Sequence, residues 1–181
     1  KKATAWAPAG HEVAFGQGVY KIEKAEKKAQ HRPLKVIYSD HNIGVAGEDF
    51  HLLFSYLNGG LASYRFGGKD MFKGIPMPNF WRAPIDNDKG LNMEKGHGEW
   101  RKASLKRNVT SEVKEVSQQE TQVTFNFSFP DVGSTKMKMT YYVYGSGDIV
   151  VSYTLNPDGS KSYLPNVGTL FTVPGGYEKV R

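Results

Sequence analysis

The segment 79–90, which reads NFWRAPIDNDKG, holds the densest group of side chains in this chain that could do chemistry. It combines two aromatic rings, an arginine, two carboxylates and an amide, and its candidate binding or interface residues are Phe80, Trp81, Arg82, Asp86, Asn87 and Asp88. Prolines stiffen the backbone here, and Asp and Asn favour turns because their short side chains bond the nearby backbone. The composition therefore predicts a rigid loop that holds several polar groups in fixed directions.

Asp86 and Asp88 form the most suggestive acidic pair, because they lie beside aromatic residues. On an extended loop their carboxylates could point to the same side, and retaining glycoside hydrolysis requires two carboxylates about 5–5.5 Å apart. The alternative is structural: both carboxylates bond backbone amides in a turn, and Arg82 pairs with one of them. Either carboxylate could also bind a cation.

The aromatic residues in and near this segment suggest contact with a sugar. Phe80, Trp81 and Trp100 could stack on a pyranose ring while Arg82 or Asp86 bonds its hydroxyl groups. In the alternative, the same rings fill the core and the segment is a buried anchor. The residues alone leave both interpretations open.

Metal ligands are poorly represented in the rest of the chain. His97 lies near Glu94 and Glu99 on a glycine-rich stretch, but fixed ligand spacings are missing. The chain has no cysteine, which excludes disulfides and thiolate metal centres. The sequence predicts no metal and no cofactor for this chain.

Composition and charge favour a sheet protein over a nucleic-acid or membrane protein. The 181 residues carry a net charge of +6, but the lysines are scattered, as in the stretch 136–139 (KMKM), where they mark a solvated sheet face. No stretch approaches the apolar length of a membrane span. We expect neither nucleic acid nor a membrane as a partner.

Alternating patterns and turn signals predict the elements that position the segment. The stretch 122–130 (QVTFNFSFP) alternates apolar and polar residues, and 135–144 places apolar residues on one face. Asn58-Gly59 is a strong hairpin-turn signal. The sequence therefore predicts an all-β fold, an antiparallel β-sandwich, in which 74–98 is a loop.

A charged stretch that ends in proline, 23–33 (EKAEKKAQHRP), predicts a linker. We expect residues 1–22 to form the strand-containing end of a preceding domain. Residues 34–181 would then form the β-sandwich. An isolated strand ahead of a linker also predicts that the chain is a fragment of a longer protein.

The segment 79–90 resembles a signature of the β-galactosidases of glycoside hydrolase family 2, aromatic-x-Arg-Ala-Pro-x-Asp-Asn-Asp-x-Gly. Its positions are filled by Phe80, Arg82, Ala83, Pro84, Asp86, Asn87, Asp88 and Gly90. The stretch 3–14 is similar to the closing strand of the small sandwich domain that precedes this signature in the family. The stretch 164–168 (LPNVG) is similar to a family motif, Leu-Pro-Arg-x-Gly, from which Asn166 departs.

The resemblance implies both an architecture and a role. Residues 1–22 would end an immunoglobulin-like sandwich, and residues 34–181 would be the first part of a galactose-mutarotase-like supersandwich. Without its second half, such a sandwich exposes strand edges and apolar faces unless another chain covers them. The family's catalytic glutamates and its magnesium and sodium ligands belong to a barrel domain that this sequence lacks. The chain would brace that barrel and the rim of the galactoside site.

By the same resemblance, the intact parent would hydrolyse terminal β-galactosides with retention, through a covalent galactosyl intermediate, and this chain alone would be inactive. The parent would be a cytoplasmic homo-oligomer, with the periplasm or secretion as alternatives. Three other interpretations stay open. They are a stand-alone carbohydrate-binding β-sandwich, the small subunit of a two-chain galactosidase, and a mutarotase-like epimerase, which would need a histidine and a carboxylate on one concave face.

Overall fold

The computed structural model describes residues 2–12, 16, 32–161 and 163–176. It confirms the predicted all-β sandwich, because its strands pair antiparallel and two of its sheets share one core. The strands are β1 Lys35–Tyr38, β2 Asn42–Ala46, β3 Phe50–Ser55, β4 Gly60–Phe66, β5 Lys69–Asp70, β6 Lys73–Asn79, β7 Asn108–Ser117, β8 Glu120–Ser128, β9 Lys136–Tyr144, β10 Ile149–Asn156 and β11 Gly168–Thr172. Between β6 and β7 lie three short helices, α1 Asp86–Gly90, α2 Met93–His97 and α3 Glu99–Ala103.

The first sheet is a meander in which β1 to β5 follow one another. Its β3–β4 hairpin turns at Asn58-Gly59, as predicted, and the Gly59 backbone lies at a φ of 69°. A Cβ atom at Gly59 would lie 2.6 Å from a ring atom of Phe127 and 2.7 Å from a methyl carbon of Val109. Both the backbone conformation and the close packing therefore require glycine at this turn.

The second sheet has four strands in the order β10-β9-β8-β7. The alternation predicted for β8 is confirmed, because Val123, Phe125 and Phe127 are buried. Phe54 of the first sheet packs on Phe125 and Tyr141, with ring centroids 6.3 and 5.2 Å apart. The apolar rows of the two sheets therefore meet in one layer, as in other sandwiches.

The prediction of a loop over 74–98 is wrong in two places. β6 covers Lys73–Asn79, pairs with β11 and runs beside β4. Pro76 and Pro78 concealed this strand, because proline is tolerated only in edge strands and at bulges. α1 and α2 were also missed, because a helix of five residues is too short to show a helical period in the sequence.

One side of the sandwich is open. Within the described residues, β10 pairs only with β9 and β11 pairs only with β6. Between these strands lies a cavity of about 270 Å³, which we call the open groove. It is lined mainly by apolar side chains: Leu61, Phe72, Pro76, Met139, Tyr141, Ile149, Val151, Thr169 and Phe171. Phe171 and Val151 are 56% and 49% exposed, so core-facing apolar surface reaches the solvent here.

The described part of the predicted first domain, 1–22, consists mainly of residues 2–12, which form bends and turns. The rest of residues 1–22, apart from residue 16, and most of the predicted linker, 23–33, lie outside the described residues. The domain boundaries stay predictions. Among the described residues, no helix combines the length and the apolarity needed to cross a membrane.

Candidate functional site

The candidate segment begins where β6 ends, and Asn79 fixes its first turn. The Asn79 side chain accepts a hydrogen bond from the Trp81 N–H at 3.3 Å and donates one to the Trp81 carbonyl at 2.9 Å. Asn166 donates its side-chain N–H to the Asn79 carbonyl at 3.2 Å. The sequence interpretation missed Asn79, although asparagine is typical of turns that bond their own backbone.

Phe80 lies in the core rather than at the surface. Its ring is 1% exposed and meets the rings of Trp100 and Phe129 edge-on, at centroid distances of 5.8 and 5.0 Å. Trp100 is equally buried, whereas Trp81 is half-buried against the same core. Phe80 and Trp100 therefore anchor the segment and present no face to a sugar, and Trp81 keeps part of its surface accessible.

Arg82 and Asp88 form a bidentate ion pair across the segment. Asp88 is buried, and its Oδ1 accepts a hydrogen bond from Arg82 Nη2 at 2.9 Å while its Oδ2 accepts one from Nη1. Oδ2 also accepts the Ile85 N–H at 2.9 Å, which satisfies a donor at the start of α1. The structure thus contains the arrangement given above as the structural alternative, a turn in which Arg82 pairs with a carboxylate.

These contacts shift the pKa of Arg82 and of Asp88 in the direction that favours the charged form. The hydrogen bonds from Arg82, and then from the Ile85 N–H, hold the pKa of Asp88 below its usual value. Hydrogen bonding to Asp88, and after it to Tyr163, raises the pKa of Arg82. An ionised carboxylate has no proton to donate, and hydrogen bonds to both of its oxygens lower its nucleophilicity. Asp88 is therefore unsuited to act as a general acid or a nucleophile.

Asp86 and Asn87 face the solvent instead. The Asp86 side chain is 98% exposed and accepts a hydrogen bond from the Lys89 ammonium group at 3.2 Å. Asn87 is also exposed. Asp86 and Asp88 consequently occupy different environments, one in water and one beneath the segment, and do not form a catalytic carboxylate pair.

The connection between β10 and β11 contacts helices α2 and α3. Lys161 pairs with Glu99 of α3 at 3.3 Å between Nζ and Oε2. The Tyr163 ring meets the ring of His97 of α2 edge-on at 4.9 Å. The sequence interpretation missed Lys161 and Tyr163, because their partners lie more than sixty residues away in the chain and no local pattern links them.

Asp158 anchors the start of this connection. Its carboxylate accepts hydrogen bonds from the N–H and hydroxyl groups of Ser134 and Ser160 at 2.7 to 3.0 Å. The two backbone N–H groups contribute most to holding the pKa of Asp158 far below its usual value. The carboxylate is therefore a structural acceptor that joins the turn before β9 to the end of β10.

A shallow concave surface of about 400 Å³ adjoins the ion pair. Its lining residues come from the segment and from α1 and α2: Pro84, Asp88, Lys89, Asn92, Met93 and Glu94. Across the described part of the chain, no three His, Asp or Glu side chains are placed to hold a metal ion, and His97 forms no such group with Glu94 and Glu99. The arrangement suits contact with another surface better than bond-breaking chemistry.

Fold and segment together define an all-β module in which Asp88 is held in an ion pair and Asp86 lies in the solvent. Residues 46–181 match the family model of the β-galactosidase small chain. The chain therefore belongs to the β-galactosidase small chain family.

Three relatives show how much of a β-galactosidase corresponds to this chain. The β-galactosidase of Halalkalibacterium halodurans is 38% identical over 184 residues, which cover 99% of this chain and 18% of the relative. The β-galactosidase of Clostridium acetobutylicum is 34% identical, with 94% of this chain and 19% of the relative covered. The β-galactosidase small subunit of Latilactobacillus sakei is 31% identical, with 78% of this chain and 51% of the relative covered. The chain thus spans about a fifth of the two longer relatives and about half of the small subunit.

Proposed function

We propose that this chain is a non-catalytic part of a β-galactosidase of glycoside hydrolase family 2, and that it braces the catalytic barrel and the rim of the galactoside site. The intact enzyme would hydrolyse terminal β-galactosides with retention. The family match over residues 46–181 and the relatives named β-galactosidase support this proposal. Any magnesium or sodium of the parent enzyme would then be bound by the barrel.

The observation that carries the proposal is the engagement of Asp88. A catalytic carboxylate must be both fixed in position and free to react. In the candidate segment the fixed carboxylate, Asp88, is occupied by Arg82 and the Ile85 N–H, and the exposed one, Asp86, lies in the solvent beside Lys89. The segment therefore has the properties of a structural brace.

The open groove is evidence for a partner that adds β-structure to this chain. Apolar strand edges that reach the solvent are sites where further strands pair. We propose that the groove is covered by the rest of the small-chain region, because the match accounts for only 51% of the Latilactobacillus sakei small subunit. In this arrangement Val151 and Phe171 become core residues.

A second candidate function is that of the small subunit in a two-chain galactosidase. The description of the matching family and the small subunit of Latilactobacillus sakei both favour it. The two candidates assign the same non-catalytic role to this chain. They differ in whether the catalytic barrel is on the same polypeptide or on another one.

Replacing the matched segment of the Halalkalibacterium halodurans β-galactosidase with this chain tests the role directly. We expect the chimaera to hydrolyse lactose, whereas this chain alone and the relative without the segment do not. The unaltered relative is the positive control. Mixing this chain with the remaining part of the relative as a separate polypeptide tests the two-chain arrangement.

Lactose hydrolysis by the purified chain alone, at an enzymatic rate, would overturn the non-catalytic assignment. A chimaera that folds, as shown by a cooperative calorimetric transition, but has no activity would overturn the bracing role. Both results concern the function of the whole chain and not any single surface residue.

A further inference from the structure

The turn between β3 and β4 contains Asn58 and Gly59, the only Asn-Gly pair in the sequence. Asn58 is exposed to the solvent. In such a pair the backbone nitrogen of the glycine can attack the side-chain carbonyl carbon of the asparagine, because glycine has no side chain to hinder the approach. The turn therefore brings together the two groups of an intramolecular deamidation, a reaction that is independent of the function proposed above.

This reaction needs no reactant other than water. A bond forms between the Gly59 nitrogen and Asn58 Cγ, the bond from Cγ to Nδ2 breaks, and the Gly59 amide proton leaves with Nδ2 as ammonia. Water then opens the succinimide ring at either of its carbonyl groups and gives aspartate or isoaspartate. Both products carry a carboxylate in place of a neutral amide, and isoaspartate also lengthens the main chain by one methylene.

Ser55, the last residue of β3, bonds both of the reacting residues. Its carbonyl oxygen accepts the Gly59 N–H at 3.0 Å. Its Oγ accepts hydrogen bonds from Asn58 Nδ2 at 3.2 Å and from the Asn58 N–H at 3.3 Å. The Gly59 nitrogen must release its proton to attack, and the Asn58 amide must be free to approach it. These hydrogen bonds therefore oppose the reaction.

Contacts with other elements also fix the turn. The Arg107 guanidinium donates a hydrogen bond to the Asn58 carbonyl at 2.9 Å. Gly59 packs so closely on the second sheet that a Cβ atom there would lie 2.6 Å from a ring atom of Phe127. Groups fixed in this way react mainly from a locally opened form, and the rate then follows the equilibrium population of that form.

We propose that Asn58 is a deamidation site, that Ser55 protects it in the folded chain, and that the reaction proceeds when the β3–β4 turn opens. The isoaspartate product does not fit the closed turn, because the added methylene lies where Gly59 already contacts Phe127. The modification is thus coupled to the local stability of the first sheet.

Mass spectrometry of the peptide that contains Asn58 tests the proposal on the purified chain, incubated at mildly alkaline pH. We expect deamidation at Asn58 to be at least about tenfold slower in the folded chain than in the same chain unfolded in urea. Ser55→Ala, which removes the Oγ acceptor, should accelerate it about fivefold in the folded chain. Ser55→Cys should act in the same direction, because sulfur is a weak acceptor, and Ser55→Thr should keep the original rate.

The first sheet offers a matched control substitution. Ser39 Oγ donates a hydrogen bond to the Asn42 carbonyl at 3.1 Å in the turn between β1 and β2, so Ser39→Ala removes a comparable contact away from Asn58. It should leave the deamidation rate at Asn58 unchanged. Asn156 is an internal control in every sample, because the next residue, Pro157, has no backbone N–H and cannot react by this route.

Three results would overturn the proposal. They are equal deamidation rates in the folded and the urea-unfolded chain, no acceleration by Ser55→Ala, and equal acceleration by Ser39→Ala and Ser55→Ala. Calorimetry shows whether each variant folds. If Ser55→Ala does not fold, Ser55→Cys takes its place in the same comparison with Ser39→Ala.

Discussion

The two lateral edges of the sandwich differ in what closes them. At the edge formed by β1 and β7, the Leu34 N–H donates to the Gln118 carbonyl at 2.7 Å and the Tyr38 hydroxyl donates to Glu115 at 2.6 Å. At the edge formed by β10 and β11, the open groove leads into the core, and Phe171 is 56% exposed.

The side chains at each edge indicate whether that edge is stable in water or needs a partner. Polar contacts between the two sheets seal the first edge, so it can face water without a partner. Apolar side chains line the second edge, and burying such surface is favourable by roughly 25 cal/mol per Å². The second edge is therefore the one that gains stability from added β-structure.

The largest expected effect contrasts a core ring with a ring at the open groove. Phe125→Ala should lower the free energy of unfolding by about 3–5 kcal/mol, because the ring is fully buried and its removal leaves a cavity. Phe171→Ala should lower it by less than about 1 kcal/mol in the isolated chain, since the ring is more than half exposed. Urea unfolding measures both. Equal losses would mean that the groove is closed in the isolated chain.

Two neighbouring valines on β10 test whether the open groove is covered in the complete enzyme. Val151 lines the groove and Val150 points to the opposite face of the strand, yet their exposures, 49% and 54%, are similar. In the chimaera, Val151→Lys should cost at least about 2 kcal/mol, because a charge is buried without a partner. Val150→Lys should cost much less. Calorimetric unfolding distinguishes them, and equal costs would contradict the assignment of the groove.

Alkaline pH should weaken the fold through Tyr153 on β10. Burial raises the pKa of Tyr153 to about 12, above its ordinary value of 10.0. The folded state thus holds this proton more tightly than the unfolded chain. Its contribution to stability is complete below pH 10 and is lost as the pH rises toward 12. Tyr153→Phe should make the fall in stability above pH 10 less steep, measured by urea unfolding between pH 8 and pH 11.

The same substitution has a defined expectation at neutral pH. Within the described residues, the Tyr153 hydroxyl is buried without a hydrogen-bond partner, so Tyr153→Phe should change stability little at pH 7. A large loss at pH 7 would show that the hydroxyl has a partner.

The smallest expected effect is at the sealed edge. Tyr38 donates to Glu115, and this hydrogen bond contributes most to raising the pKa of Tyr38 to about 12. Because Tyr38 is 54% exposed, a double-mutant cycle of Tyr38→Phe and Glu115→Gln should give a coupling energy below about 1 kcal/mol. A much larger coupling would mean that this one contact, rather than the whole edge, seals the sandwich.

Several parts of the fold could be predicted because their signals are local. The alternation along β8 identified a strand with one buried face, and Asn58-Gly59 identified a hairpin turn, since its backbone requires glycine. The pairing of Arg82 with a carboxylate was one of the alternatives, because the two lie on one short loop. These predictions needed only neighbouring residues.

Other parts could not be predicted because their cause is distant in the chain. β6 contains Pro76 and Pro78 and is stabilised by pairing with β11, which begins only at Gly168. Asn79 is bonded by Asn166, and Glu99 by Lys161. Contacts at such separations leave no pattern in either segment alone.

Most strands and turns were predictable from the amino-acid sequence, because they depend on backbone preferences and on the period of side-chain directions. The packing of distant elements placed Phe80 in the core and left Ile85 and Leu91 exposed, and it left Asp88 buried in an ion pair while Asp86 lies in the solvent. These outcomes could not be predicted because burial depends on which distant elements pack against a loop. A spacing of two residues on a loop leaves the direction of each side chain open until Arg82, Trp100 and Phe129 are in place.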